Sequence, residues 1–209
     1  MELPSKEECY KLLKEYHVPQ NVVEHSKKVA KVALFLGDRL IKKGINVNLE
    51  LVEQASLLHD LVRICDFHDF KKEHFKSFGI ELSDDEFNSM KKIRDRFRGK
   101  HHADACYDLF KDRYSELALV IKRHKYMYLL DEKNKPRTWE EKLVYYADKR
   151  VKHSEVVSLK DRLDDGERRN AHMAEIRHAT RGSIRALNFA LEKEIFNIIG
   201  ENPEIVNKL

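Results

Sequence analysis

Apolar residues along this 209-residue chain recur mainly three or four positions apart and seldom alternate, which limits the folds open to it. This spacing places side chains on one face of an α-helix. Only seven glycines and four prolines interrupt the pattern. The sequence therefore predicts an all-α fold, organised as a single domain over 1–209 with one sizeable core.

Capping boxes locate several helix starts, because a Ser or Thr and a Glu three residues later satisfy free backbone N–H groups. Three stretches fit: SKEE at Ser5, SDDE at Ser83 and TWEE at Thr138. KNKPRT and DDGE are expected to be loops. The predicted helices lie at about 5–16, 20–43, 49–64, 84–97, 101–112, 115–130, 139–153 and 167–199.

Charge and composition argue against several classes of protein. Charged residues make up 36% of the chain but the net charge is only +4, so positive and negative side chains are interleaved and nucleic acid is not an expected partner. No stretch approaches the roughly 18 apolar residues of a membrane helix, and MELPSKEECY does not resemble a signal peptide. Cys9, Cys65 and Cys106 form no CxxC pair. We expect a cytoplasmic protein with no membrane partner.

The stretch LLHDLV, residues 57–62, places a histidine and an aspartate within an apolar run, where an unpaired charge is strongly unfavourable. Neighbours three and four residues away indicate which polar side chains face the core. By this test His101 faces outward, beside Asp104 and Asp108. The inward-facing histidines and aspartates are His25, His59, Asp60, His102, His124 and Asp148.

A single inward histidine is more often a satisfied core residue than a metal ligand. These six groups, however, have no equal set of inward arginines or lysines on the same stripes, and a bound cation would satisfy all six at once. Imidazole nitrogen and carboxylate oxygen suit Fe, Mn, Co, Ni or Zn. The sequence therefore predicts one or two divalent transition metal ions.

His25, the His59-Asp60 doublet and Asp148 form an H…HD…D pattern that resembles the HD superfamily of metal-dependent phosphohydrolases. VVEHSKKVAKVALFLG, ASLLHDLVR and EKLVYYADKRV look like the ligand helices of that family. The resemblance covers about 20–155 and implies an HD-type helical bundle, with 156–209 as a helical extension. There is no GYP segment after the doublet, and 63–100 does not align readily with the family.

HADACYDLF and IKRH are similar to two further histidine segments in family members with two metal ions, including the dinucleoside tetraphosphate hydrolases. By that resemblance His102 and His124 would hold the second ion. Two ions about 3.5–4 Å apart could share a hydroxide, with Asp60 as the bridging ligand. Arg63 and Lys149 are preferred over Lys28 as donors to phosphate.

The resemblance thus implies hydrolysis of a phosphomonoester or phosphoanhydride in a small phosphorylated substrate, with a nucleotide favoured, by a metal-bound hydroxide. Two alternatives stay open at this point. One is an HD-fold di-iron oxygenase with the same ligand types. The other is a non-catalytic helical binding module with a structural metal, in which KKIRDRFRGK and GERRN contact RNA or an acidic partner.

Overall fold

Helices form nearly all the regular structure in the computed structural model, which describes residues 2–67, 69–76, 79–169 and 174–209, apart from the side chains of 174–181. This confirms the predicted all-α class. The α-helices are α1 (Lys6–Glu15), α2 (Gln20–Lys42), α3 (Leu49–Leu58), α4 (Lys72–Lys76), α5 (Asp84–Arg96), α6 (His102–Phe110), α7 (Ser115–Arg123), α8 (Trp139–Asp148), α9 (Leu159–Arg169) and α10 (Ala174–Ile199). The shorter elements are the 3₁₀ turns Arg63–Asp66, Tyr126–Leu130 and Pro203–Lys208 and the hairpin strands β1 (Val151–Lys152) and β2 (Glu155–Val156).

The three predicted capping boxes are present and open helices α1, α5 and α8. In each, the side chain of Ser5, Ser83 or Thr138 accepts the N–H of a glutamate three residues later. That glutamate accepts the N–H of the cap residue in return. The starts of these helices were therefore readable from the sequence.

Helices α2, α3, α7 and α8 pack together as the centre of the fold. Their inner faces are apolar and fully buried, as Leu36 on α2, Leu58 on α3 and Ile121 on α7 illustrate. Helix α10 lies against α2 and α8 and extends the same core. This packing carries the ends of α3, α7 and α8 to one place.

Two helices end earlier than predicted, at the residue before a histidine. Helix α3 ends at Leu58 and α7 at Arg123. The Nδ1 of His59 lies 2.7 Å from the carbonyl of Ser56, which in a continuing helix would accept the N–H of Asp60. His124 bonds in the same way to the carbonyl of Ile121. Each side chain thus competes with the next helical bond.

The predicted loop at DDGE and the predicted end of α8 were both wrong. DDGE lies inside α9, where (i, i+4) ion pairs such as Lys160–Asp164 at 2.8 Å support the helix around Gly166. Helix α8 ends at Asp148, before the predicted 153, because the chain turns into the β1–β2 hairpin. The helix predicted at 167–199 crosses residues 170–173, which lie outside the described residues.

Within the described part of the chain, no helix combines the length and apolar character required to cross a membrane.

Candidate metal centre

The six inward-facing histidines and aspartates converge in the structure as two adjacent triads. Each triad offers three ligand atoms that all lie within 4.8 Å of one another. The first triad consists of His25, His59 and Asp148, and the second of Asp60, His102 and His124. His25 and Asp148 are 123 positions apart in the sequence and meet in the first triad because α2 packs on α8.

Asp148 is the centre of the first triad. Its Oδ1 lies 3.1 Å from His25 Nε2 and 3.8 Å from His59 Nε2. Both nitrogens therefore face one carboxylate oxygen. An ion at this place would have two imidazoles and a carboxylate as ligands, which suits a borderline divalent metal.

Asp60 reaches both triads. Its Oδ1 lies 3.0 Å from His102 Nε2 and 4.0 Å from His124 Nε2, while its Oδ2 lies 3.7 Å from His59 Nε2. The two Nε2 atoms of His102 and His124 are themselves 3.0 Å apart. Asp60 is thus placed where one carboxylate could contact two ions.

Each of the four histidines has its Nδ1 bonded to an acceptor outside the triads. Carbonyl and carboxylate oxygens only accept, so each Nδ1 carries a hydrogen, and each Nε2 faces the centre, where it offers a lone pair to a metal ion once it is deprotonated. The pairs are His25 with His153 O at 2.9 Å, His59 with Ser56 O at 2.7 Å, His102 with Asp66 Oδ2 at 2.7 Å, and His124 with Ile121 O.

The electrostatics keep the carboxylates ionised. Burial raises the pKa of the Asp60 carboxyl, but the charge and hydrogen bond of His102 and the charge of Arg63 outweigh it and hold that pKa well below its ordinary value. Burial also raises the pKa of the Asp148 carboxyl, but the ammonium of Lys149 outweighs it and holds that pKa well below its ordinary value. Two anionic carboxylates side by side form an acidic site suited to cations.

The histidines divide into two pairs. Burial lowers the pKa of His59, and at His124 the neighbouring histidines add to the effect, so both are neutral, the form that binds metal. Burial also lowers the pKa of His25 and His102, but the adjacent carboxylates outweigh it and raise the net value. An incoming ion would therefore displace protons from His25 and His102.

His59 supplies a direct test of whether these residues fit a metal ion. Its side chain is completely buried, and among the described residues its Nε2 has no hydrogen-bond partner. A buried acceptor left unpaired costs about 1–3 kcal/mol. A cation between His59, His25 and Asp148 would satisfy this atom, so the residues fit a metal ion.

The main chain favours a cation as well. Helices α3 and α7 end directly before His59 and His124, and α8 ends on Asp148. The C-terminal end of an α-helix carries a partial negative charge. Three such ends meet at the candidate centre, a feature that the sequence prediction missed because it placed these ligands inside longer helices.

Arg63 lies at the rim of the second triad. Its Nε is 3.9 Å from Asp60 Oδ2, its guanidinium pairs with Asp66, and its side chain is 37% exposed. Arg63 Nη1 is also 3.0 Å from His102 Nδ1, but both atoms carry hydrogen. Asp66 is therefore the acceptor for both side chains.

Lys149 and Lys28 lie in different surroundings. The buried ammonium of Lys149 pairs with Asp148 and lies 3.4 Å from the carbonyl of His124. Lys28 instead donates to the carbonyl of Leu209 at 3.1 Å. Of the predicted phosphate donors, Arg63 and Lys149 border the triads.

Asp66 and His101 complete the surroundings. The sequence analysis missed Asp66, because it lies in a 3₁₀ turn, where the spacing of apolar residues does not indicate burial. The available hint was its position three residues after Arg63. The N–H of His102 also donates to Asp66, at 3.2 Å. His101 lies outside both triads and caps α6, since its Nδ1 accepts the N–H of Ala103 at 3.1 Å.

Fold and site together define a helical protein in which a cluster of histidines and carboxylates could hold metal ions. The sequence matches the HD domain family over residues 22–151, more than half of the chain, and the chain belongs to that family. The match includes all six triad residues and ends before α9.

The chain is also similar to the tRNA (cytidine(56)-2'-O)-methyltransferase of Picrophilus torridus, with 25% identity over 208 residues. The alignment covers 99% of this chain and 50% of that protein, so the chain spans about half the length of this relative. No solved structure matches the chain.

Proposed function

We propose that the chain is a metal-dependent phosphohydrolase that cleaves a phosphomonoester or phosphoanhydride, with a nucleotide as the favoured substrate. The observation that carries this proposal is the pair of triads joined by Asp60, with every imidazole presenting Nε2 to the centre. Membership of the HD family supports metal-dependent hydrolysis.

His25, His59 and Asp148 would hold one ion, and His102 and His124 the other, with Asp60 between them. Bound divalent ions supply Lewis acidity and lower the pKa of coordinated water. Asp60 is proposed as a catalytic residue because its two oxygens face different triads.

Arg63 and Lys149 are proposed to bind the substrate phosphate. The guanidinium of Arg63 is held by Asp66 and partly exposed, so it can present N–H groups to an incoming oxygen. The ammonium of Lys149 has three N–H groups. Two of them face Asp148 and the carbonyl of His124, which leaves one for a phosphate oxygen.

The proposed function is tested by phosphate release from a panel of nucleotides and simple phosphomonoesters with Mn²⁺ or Co²⁺ under anaerobic conditions. We expect turnover by the unaltered chain. Asp60→Ala should lose bound metal and turnover together, whereas the matched control His101→Ala should retain both. Activity that requires iron and consumes O₂ would instead establish the oxygenase alternative.

A phosphate carried by RNA is a second candidate substrate. It is favoured by the likeness to a tRNA methyltransferase over 99% of this chain. Against it stands the interleaving of charges behind the net +4. Comparing turnover of mononucleotides with that of 3'-phosphorylated RNA over a salt series decides between them, because RNA binding weakens steeply with salt.

A further inference from the structure

Residues 91–100, at the end of α5 and in the turn that follows it, interrupt the interleaving of charges along the chain. They read KKIRDRFRGK and contain six lysines and arginines but a single acidic residue, Asp95. The excess of five positive charges in this segment is larger than the net charge of +4 on the whole chain. A partner with regularly spaced negative charges would be attracted to such a segment.

This end of α5 borders an open cavity of about 450 Å³. The cavity is lined by Phe70, Phe87, Lys91, Arg94, Asp95 and Arg98. The rings of Phe70 and Phe87 are stacked, with their centroids 4.9 Å apart, and both side chains are only partly buried. The guanidinium of Arg94 lies over the ring of Phe70, at 5.2 Å from its centroid. Flat apolar rings and positive charges therefore share one concave surface.

The protein itself neutralises these positive charges only weakly. Arg94 donates from Nη2 to the main-chain carbonyl of Phe67 at 3.2 Å, an uncharged acceptor. Arg98 lies 3.7 Å from Asp95 and its side chain is 76% exposed, so this ion pair is weak. Lys91 is exposed, and among the described residues no carboxylate lies within ion-pair distance of it. The cations of the cavity are therefore available to phosphate groups.

We propose that this cavity is a binding site for single-stranded RNA. Proteins hold single strands by combining positive charges along the backbone with aromatic rings on which bases stack. Lys91 and Arg98 would contact phosphates, and Phe87 would stack on a base. None of the lining residues belongs to a triad, so the proposal goes beyond the proposed function and does not depend on it.

Asp95 favours RNA over DNA as the occupant. Its carboxylate repels phosphate, but at 3.7 Å from Arg98 it is too far for a hydrogen bond and keeps its acceptor positions. The 2'-hydroxyl of ribose, which DNA lacks, can donate to such an oxygen. A carboxylate among cations thus suits a strand that carries both phosphates and hydroxyl groups.

The competing explanation is that the cavity has only a structural role. Phe70 and Phe87 pack at the edge of a small apolar cluster formed by Ile64, Phe75 and Met90. On this explanation the two rings only complete that cluster, and the basic side chains are simply solvated. Lys91 and Arg98 would then affect RNA binding no more than any other two cations on the surface of α5.

Fluorescence anisotropy of a labelled single-stranded RNA of about 12 nucleotides, without a terminal phosphomonoester, tests the site on the full chain over a salt series. The double variant Lys91→Gln, Arg98→Gln should bind about tenfold more weakly near 0.1 M salt. Its salt slope should fall by about 1.4, since each phosphate contact with a single strand contributes about 0.7. The matched control Lys92→Gln, Arg96→Gln removes two exposed charges outside the cavity and should weaken binding less than about threefold.

Phe87→Leu keeps an apolar side chain in the cluster and removes the flat ring. It should weaken binding of the RNA at least about fivefold and leave binding of an abasic ribose-phosphate strand unchanged. DNA of the same sequence should bind more weakly than RNA to the unaltered chain, and Asp95→Ala should abolish that preference. Thermal unfolding of each variant checks that α5 remains folded.

Equal losses in the two double variants would overturn the cavity as the binding site, because any basic surface would then suffice. An equal effect of Phe87→Leu on the RNA and on the abasic strand would overturn base stacking. Equal affinity of the unaltered chain for RNA and DNA would overturn RNA as the occupant. Phosphate release enters none of these measurements, so their outcome is independent of the proposed hydrolysis.

Discussion

The four histidines of the candidate centre differ in what holds their Nδ1 atoms. His25, His59 and His124 bond to main-chain carbonyls, whereas His102 bonds to the side chain of Asp66. Such outer contacts fix the tautomer and the orientation of a metal-binding imidazole. Asp66 is therefore the residue through which the second triad can be altered without touching a proposed ligand.

Replacing Asp66 with Asn should weaken metal binding at the second triad by about 10–100-fold, because His102 loses its anionic partner. Elemental analysis after dialysis at low free metal should show about one ion fewer per chain than in the unaltered protein. The control is Asp108→Asn on α6. The Asp108 carboxylate pairs with Lys100 at 2.6 Å and lies away from both triads, so this change should leave the metal content unaltered. Loss of both ions or of neither would contradict this role.

Metal affinity should fall as the pH is lowered. Carboxylates raise the pKa of His25 and His102 above the ordinary value, so these histidines remain protonated to a higher pH in the metal-free chain. Binding below that pKa must release their protons. Calorimetry in two buffers of different ionisation enthalpy, between about pH 8 and pH 6, should show proton release that grows toward pH 6. A pH-independent affinity would contradict the prediction.

At the scale of helices, the sequence was a good guide to where most helices begin and to which faces are buried, but the starts of α4 and α9 were not predicted. Capping boxes are local, and the three- and four-residue spacing of His59 and His102 with apolar neighbours reports burial directly. Helix ends were harder, since His59 and His124 end their helices through side-chain bonds that no propensity encodes. The role of Asp66 depends on its tertiary contact with His102, and its spacing from Arg63 was the only hint of that role in the sequence.

Thr138→Ala should destabilise the chain by about 1 kcal/mol, because it removes the cap of α8, the helix that carries Asp148. Urea unfolding measures the free energy, and metal content reports the effect on the first triad. Ser83→Ala removes the equivalent cap of α5 and is the matched control. It should cost a similar amount and leave bound metal unchanged; loss of metal in both variants would mean that capping acts only through global stability.

Across the whole molecule, Arg150 joins the HD-matched residues to the segments that follow them. Its guanidinium is almost fully buried and donates to Tyr146 Oη at 2.6 Å, Val157 O at 2.7 Å and Asn207 Oδ1 at 2.7 Å. Glu192 on α10 supplies the countercharge, at 3.4 Å. The hairpin, α10 and the last 3₁₀ turn therefore meet at one side chain.

Arg150→Ala should destabilise the protein by about 3–5 kcal/mol, since Glu192 is left as an uncompensated charge beside several unpaired acceptors. Chemical denaturation provides the measurement. Arg39→Ala breaks the partly exposed pair with Glu201 and should cost less than about 1 kcal/mol. Similar losses in the two variants would show that burial of Arg150 adds nothing to the stability of the chain.

The difference between main-chain and side-chain acceptors of the histidines also affects how the site can change in evolution. A carbonyl acceptor is supplied by every amino acid, so substitutions at Ser56, Ile121 or His153 preserve the atom that orients His59, His124 or His25. The carboxylate of Asp66 has no such protection. A single codon change at Asp66 can remove the partner that orients His102. A lineage with that change would retain the His25, His59 and Asp148 group unaltered, while only its second group is affected.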